Sequence, residues 1–175
     1  LEKVETSVIS ALEQHPGNPG LMLKKAQLYI YRNKKEKAIK ILRDMDHSEF
    51  SDSELHMVKG SLYSQLEKYE KAIEEYSEAI HESEDPDEIY SNIAFEYENL
   101  GKYDRAIEFL VKAIEINPEN EPALYELSFC YEITQQTEKS IDFLTSFLNK
   151  HPFSKTAWFN LGISYSNMEL FEKSV

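Results

Sequence analysis

The chain has 175 residues, 41% of them hydrophobic, which is enough to fill a core of ordinary domain size and too many for a disordered polypeptide. A formal net charge of −13 argues against nucleic acid as a partner, because an acidic surface repels phosphate backbones. No run of about 18 apolar residues is available to span a bilayer, and a single cysteine, Cys130, excludes an internal disulfide framework and a cysteine-based zinc site.

The predicted elements follow in chain order. Residues 1–18 place Val4, Val8, Ala11 and Leu12 on one helical face before His15-Pro16-Gly17 stops it, which reads as the second helix of a unit lacking its first. Residues 19–52 hold a complete unit, with Met22, Ala26 and Tyr29 on one helix, a break near Asn33, and Ala38, Leu42 and Met45 on another. Residues 53–86 repeat it with Gly60, Tyr63, Tyr69, Ala72, Tyr76 and Ala79, closing on an acidic turn from Glu82 to Pro86. Residues 87–120 are the best-formed unit, and 121–154 follow with Leu124, Leu127, Ser128, Tyr131, Ser140, Leu144 and Phe147. Residues 155–175 carry Trp158, Leu161, Gly162 and Tyr165 on a first helix and stop as a second should begin. The chain therefore reads as a soluble piece of a longer polypeptide. Its compartment is open, with the cytoplasm favoured.

The period is 34 residues: Tyr29, Tyr63, Tyr97, Tyr131 and Tyr165 fall in phase. The eighth position of each unit is small (Ala26, Gly60, Ala94, Ser128, Gly162), and so is the twentieth (Ala38, Ala72, Ala106, Ser140, Ser174). Small residues let two helices approach, while the tyrosines and larger aliphatics fill the seams. No such unit is stable alone, so stability must come from stacking.

With those residues laid out, the chain resembles the tetratricopeptide repeat family, whose unit carries Trp-x-x-Leu-Gly-x-x-Tyr; Trp158 to Tyr165 match that string. The resemblance implies an all-α fold, a right-handed superhelical solenoid of antiparallel helix pairs. It also implies a concave groove, lined by first helices, that takes a peptide or a partner helix. Carried onto this sequence, the groove holds Leu23, Gln27, Tyr31, Met57, Ser61 and Gln65 in the first two full units. The next unit contributes Glu88, Ser91, Asn92, Phe95, Glu98 and Asn99; the following one Tyr125, Glu126, Phe129, Glu132 and Ile133; the last Phe159, Asn160, Ile163, Ser166 and Asn167. Two departures stand out. Lys25 and Lys59 replace Leu at the seventh position, so their stems should pack while the ammonium groups reach water, and the closing proline is missing at Phe50 and Glu84.

The groove composition argues against the family's chaperone-tail clamp, which needs lysines that these positions lack. Phe95, Phe129 and Phe159 would accept an apolar anchor, with Glu98 and Glu132 favouring a Lys or Arg beside it; inter-repeat packing and a solvated face are the plain alternatives. Eight of the nineteen basic residues lie between Lys24 and Arg43 against one acid, Glu36, which suggests a solvated convex surface or a docking face. No phosphate loop, nucleophile elbow or His-Glu-x-x-His motif occurs, and the five histidines do not converge. The expectation is a non-enzymatic protein-binding module without cofactor or metal. The other readings are a spacer or sensor arm of a larger protein, and a self-associating solenoid or one docked to a flanking domain.

Overall fold

The computed structural model describes residues 2–45, 53–84 and 86–174, without the side chains of 2–5, 54 and 170–174. Phe50 and the side chains of Val4 and Ser174 therefore lie outside the described residues. Ten helices are present among them and no strand: α1 (Glu2–Gln14), α2 (Pro19–Tyr31), α3 (Lys35–Asp44), α4 (Ser53–Gln65), α5 (Tyr69–Ile80), α6 (Asp87–Asn99), α7 (Tyr103–Ile116), α8 (Glu121–Ile133), α9 (Thr137–Lys150) and α10 (Lys155–Ser174). The fold is an all-α helical repeat.

Each of the pairs α2/α3, α4/α5, α6/α7 and α8/α9 turns the same way. The middle turn residue is left-handed in all four: Asn33 (φ 56°), Glu67 (59°), Gly101 (68°) and Gln135 (56°). The next residue donates its backbone N–H to the carbonyl of the in-phase tyrosine, from Lys34 to Tyr29 at 2.8 Å, Lys68 to Tyr63 at 2.9 Å, Lys102 to Tyr97 at 2.8 Å and Gln136 to Tyr131 at 2.9 Å. This closing bond satisfies a helix-end carbonyl that would otherwise lack a partner. The tyrosine column thus marks the last turn of each first helix as well as a seam. Only Gly101 takes the left-handed conformation without a Cβ penalty.

The fifth tyrosine behaves differently. Sequence placed a break after it, but α10 runs unbroken from Lys155 to Ser174, through Glu169 at the equivalent turn position.

The chain divides into two compact units, Leu1–Glu84 and Asp85–Val175. In the first, Ala26, Ala38, Leu42, Leu62, Ala72 and Ala79 form the buried interior. Gly60 is needed there, because a Cβ would lie 2.4 Å from the Tyr76 ring. Lys59 corrects the expectation of an ammonium in water. It is 1% exposed, and its Nζ meets the Glu75 carboxylate at 2.8 Å, while His56 Nδ1 reaches the other Glu75 oxygen at 2.9 Å. A buried partner on α5 satisfies the charge more directly than a stem bent outward. In the second unit a continuous apolar cluster runs through Ala94, Ala106, Leu110, Leu124, Leu127, Tyr131, Leu144 and Phe147.

Candidate functional site

The first helices of the second unit, α6, α8 and α10, are fixed to one another by polar ties. Asn120 caps α8, its Oδ1 accepting the Ala123 N–H at 3.0 Å, and its amide donates to the Asp87 carboxylate of α6 at 3.0 Å. Asn117 donates to the same oxygen at 2.9 Å. Farther along, the Asn160 amide of α10 donates to the Leu124 carbonyl of α8 at 3.1 Å, and the Ser140 and Ser164 hydroxyls meet at 2.9 Å. Sequence reasoning offered Asn160 as a groove-surface group. The residue is 1% exposed, its amide is committed to that backbone carbonyl, and it lines the base of a cleft on this face.

The face held by these ties is apolar and open. Phe95 (55%), Tyr125 (55%), Phe129 (40%), Phe159 (64%) and Ile163 (37%) are exposed on successive first helices. Glu88, Asn99 and Glu132 are also exposed, whereas Ser91, Asn92, Glu98 and Asn167 are half-buried. Between α8, α9 and α10 opens a cleft of about 70 Å³ lined by Tyr125, Phe129, Glu132, Ile163 and Asn167 among others.

The acidic character centres on a pair that sequence did not assemble. Burial, then the Glu126 charge, push the Glu98 carboxyl up to about 7, against an opposing hydrogen bond from the Cys130 thiol. The neighbouring charge that acts on Glu98 is Glu126 of the next first helix. Glu126 and Glu132 lie less than two turns apart on α8, so periodicity alone did not choose between them. Cys130 is fully buried, and burial, followed by the Glu98 charge, raises its thiol above the ordinary range, the opposite of nucleophile activation.

Other features lie elsewhere. Leu23 is buried, whereas Gln27, Tyr31, Ser61 and Gln65 are exposed and Met57 is half-buried. Lys37, Lys40 and Arg43 are exposed on α3, and Lys35 pairs with Glu67 at 3.0 Å. A periodic contact escaped the sequence: Lys37 over Tyr29 at 5.8 Å, Lys71 over Tyr63 at 5.6 Å and Arg105 over Tyr97 at 5.5 Å, each a cation eight residues beyond its ring. Trp158 is 56% exposed, with its indole N–H donating to the Pro152 carbonyl at 2.9 Å. Among the described residues no cluster of three metal-ligating side chains occurs, and no helix is long and apolar enough to cross a membrane.

Helix pairs stacked in phase, with one open face of first helices, define a helical-repeat protein-interaction scaffold. Tetratricopeptide repeat family models match residues 8–62, 53–85, 88–120 and 122–154. The chain belongs to the tetratricopeptide repeat family. No curated protein matches it. Among solved structures, MamA is 20% identical, with a TM-score of 0.64 over 97% of this chain and 89% of that one. YrrB, a tetratricopeptide protein with an unusual peptide-binding site, is 17% identical, with a TM-score of 0.61 over 93% and 84%. A tetratricopeptide repeat protein from Parabacteroides merdae is 18% identical, with a TM-score of 0.65 over 94% and 66%. At these identities the likeness carries the fold alone. Proteins of the family are typically non-catalytic scaffolds.

Proposed function

We propose that the second unit binds a peptide or partner helix along α6, α8 and α10, through Phe95, Tyr125, Phe129, Phe159 and Ile163, and that the chain has no catalytic role of its own. The observation that carries this reading is the row of large apolar side chains left exposed on the very helices whose opposite faces are buried. A tetratricopeptide protein of similar fold, YrrB, has a peptide-binding site, which supports the same use here. Aromatic side chains supply much of the binding energy at interfaces, at little entropy cost. Glu88, Asn92, Glu98, Glu132 and Asn167 would form the polar rim, favouring a partner that is apolar and basic.

Panning a displayed random-peptide library on the parent protein, with a folded Phe95→Ala, Phe129→Ala variant as counter-target, tests the reading. Enriched peptides should bind the parent and lose most of their affinity for the variant. Peptides that bind both equally would place the docking surface elsewhere.

A further inference from the structure

Asn160 holds an acceptor for which the protein supplies no donor. Its amide donates to the Leu124 carbonyl at 3.1 Å and the residue is 1% exposed, yet among the described residues its Oδ1 accepts no hydrogen bond. Buried polar atoms are normally paired, so such an oxygen marks where a donor is wanted. Asn160 lines the cleft of about 70 Å³ between α8, α9 and α10.

The same cleft is lined by Ser140 and Ser164, whose hydroxyls meet at 2.9 Å. One of the two donates in that bond, which leaves the other with a proton to give. The preceding unit has Ala106 and Cys130 at these positions, both fully buried, so the repeat packs without hydroxyls there. Thr137 adds a further hydroxyl to the lining, and no described residue engages it.

This polar base lies in a cleft whose apolar lining includes Phe129 and Ile163. It offers an acceptor and a donor together. A hydroxyl matches both, whereas an ammonium only donates and an ionised carboxylate only accepts. The volume equals that of about two waters at about 30 Å³ each. That is too small for a peptide main chain with its flanking atoms and suits the short, branched side chain of threonine.

We propose that this cleft selects a threonine of the bound peptide, its hydroxyl donating to Asn160 Oδ1 and accepting from the Ser140–Ser164 pair, its methyl group against Phe129 and Ile163. This rests on the groove reading above and adds the residue that the groove reads.

The probe is a displayed library of random nonapeptides, panned on the parent and read by sequencing. Enriched peptides should share a threonine at one place. In the most enriched of them, made synthetically, valine in place of that threonine keeps the shape without the hydroxyl and should weaken binding about tenfold, read by fluorescence anisotropy. The difference should vanish in Asn160→Leu and shrink in Ser140→Ala, Ser164→Ala, with circular dichroism reporting the fold. The second variant leaves the Asn160 tie intact and decides the matter if the first does not fold. No shared threonine, equal binding of the valine peptide, or a full tenfold difference retained by either folded variant would each overturn the inference. The groove reading has a separate control in Phe95→Ala, Phe159→Ala, which lies outside the cleft. Unchanged affinity there sinks the groove reading itself; weakened affinity with equal binding of the threonine and valine peptides sinks the cleft inference alone.

Discussion

The two units place opposite chemistry at equivalent positions. At the seventh position the first unit has Lys25 and Lys59, the latter drawn into a buried cluster with Glu75 and His56; the second has Ile93, Leu127 and Leu161, all buried. At the ninth the same contrast recurs on the exposed face. Gln27 and Ser61 are exposed in the first unit, whereas Phe95, Phe129 and Ile163 are exposed in the second. One frame can therefore hold polar groups inside and polar groups outside, or apolar groups on both sides. The apolar outer face of the second unit is not needed to complete its core, which is why we assign binding there.

Substitutions break or sharpen this contrast. Glu75→Gln should have the largest effect, because it leaves the Lys59 ammonium in the interior without its carboxylate; removing one partner of such a pair costs about 3–5 kcal/mol, read from the urea midpoint. If the loss is negligible, the polar interior of the first unit contributes no stability. Gly60→Ala comes next, at about 1–3 kcal/mol from overpacking against Tyr76. The matched change Gly162→Ala in the second unit meets no atom within 4 Å and should instead stabilise, by about 0.5–1 kcal/mol. A like sign for the two would show that repeat position, not local packing, governs the cost.

Glu98→Gln carries a pH signature instead of a fixed offset. Burial, then the Glu126 charge, raise the folded carboxyl to about 7 from its ordinary 4.5, against the opposing hydrogen bond of Cys130. The folded state therefore holds the proton more tightly than the unfolded one. Its contribution to stability is fully present below pH 4.5 and is lost as pH rises through about 7. The stability of the variant relative to the parent should rise across that window and level off above it. A difference independent of pH would refute the buried, repelling placement of Glu98.

Much of the fold was legible because it is periodic. Four of the five in-phase tyrosines close helix pairs, and the exposed aromatics of the groove follow from the same register. What escaped depends on which neighbour a side chain finds. Lys59 lies on the inner face of α4, and its partner Glu75 is on the next helix, sixteen residues on; only their juxtaposition in space shows the pair. Asn160 has the same repeat position as Asn92 and Glu126, yet its neutral amide can donate to the Leu124 carbonyl as an ionised carboxylate cannot. The left-handed turns at Asn33, Glu67 and Gln135 carry no glycine to announce them, although Gly101 marks their phase.

The central claim is that ligands dock on the second unit's first helices and not on the basic face of α3. The most direct test is to follow amide and methyl NMR signals of the labelled protein while titrating a peptide enriched by panning. The account predicts shifts concentrated at Phe95, Tyr125, Phe129, Phe159 and Ile163 and their neighbours on α6, α8 and α10. Shifts centred on Lys37, Lys40 and Arg43, with the second unit unperturbed, would contradict it.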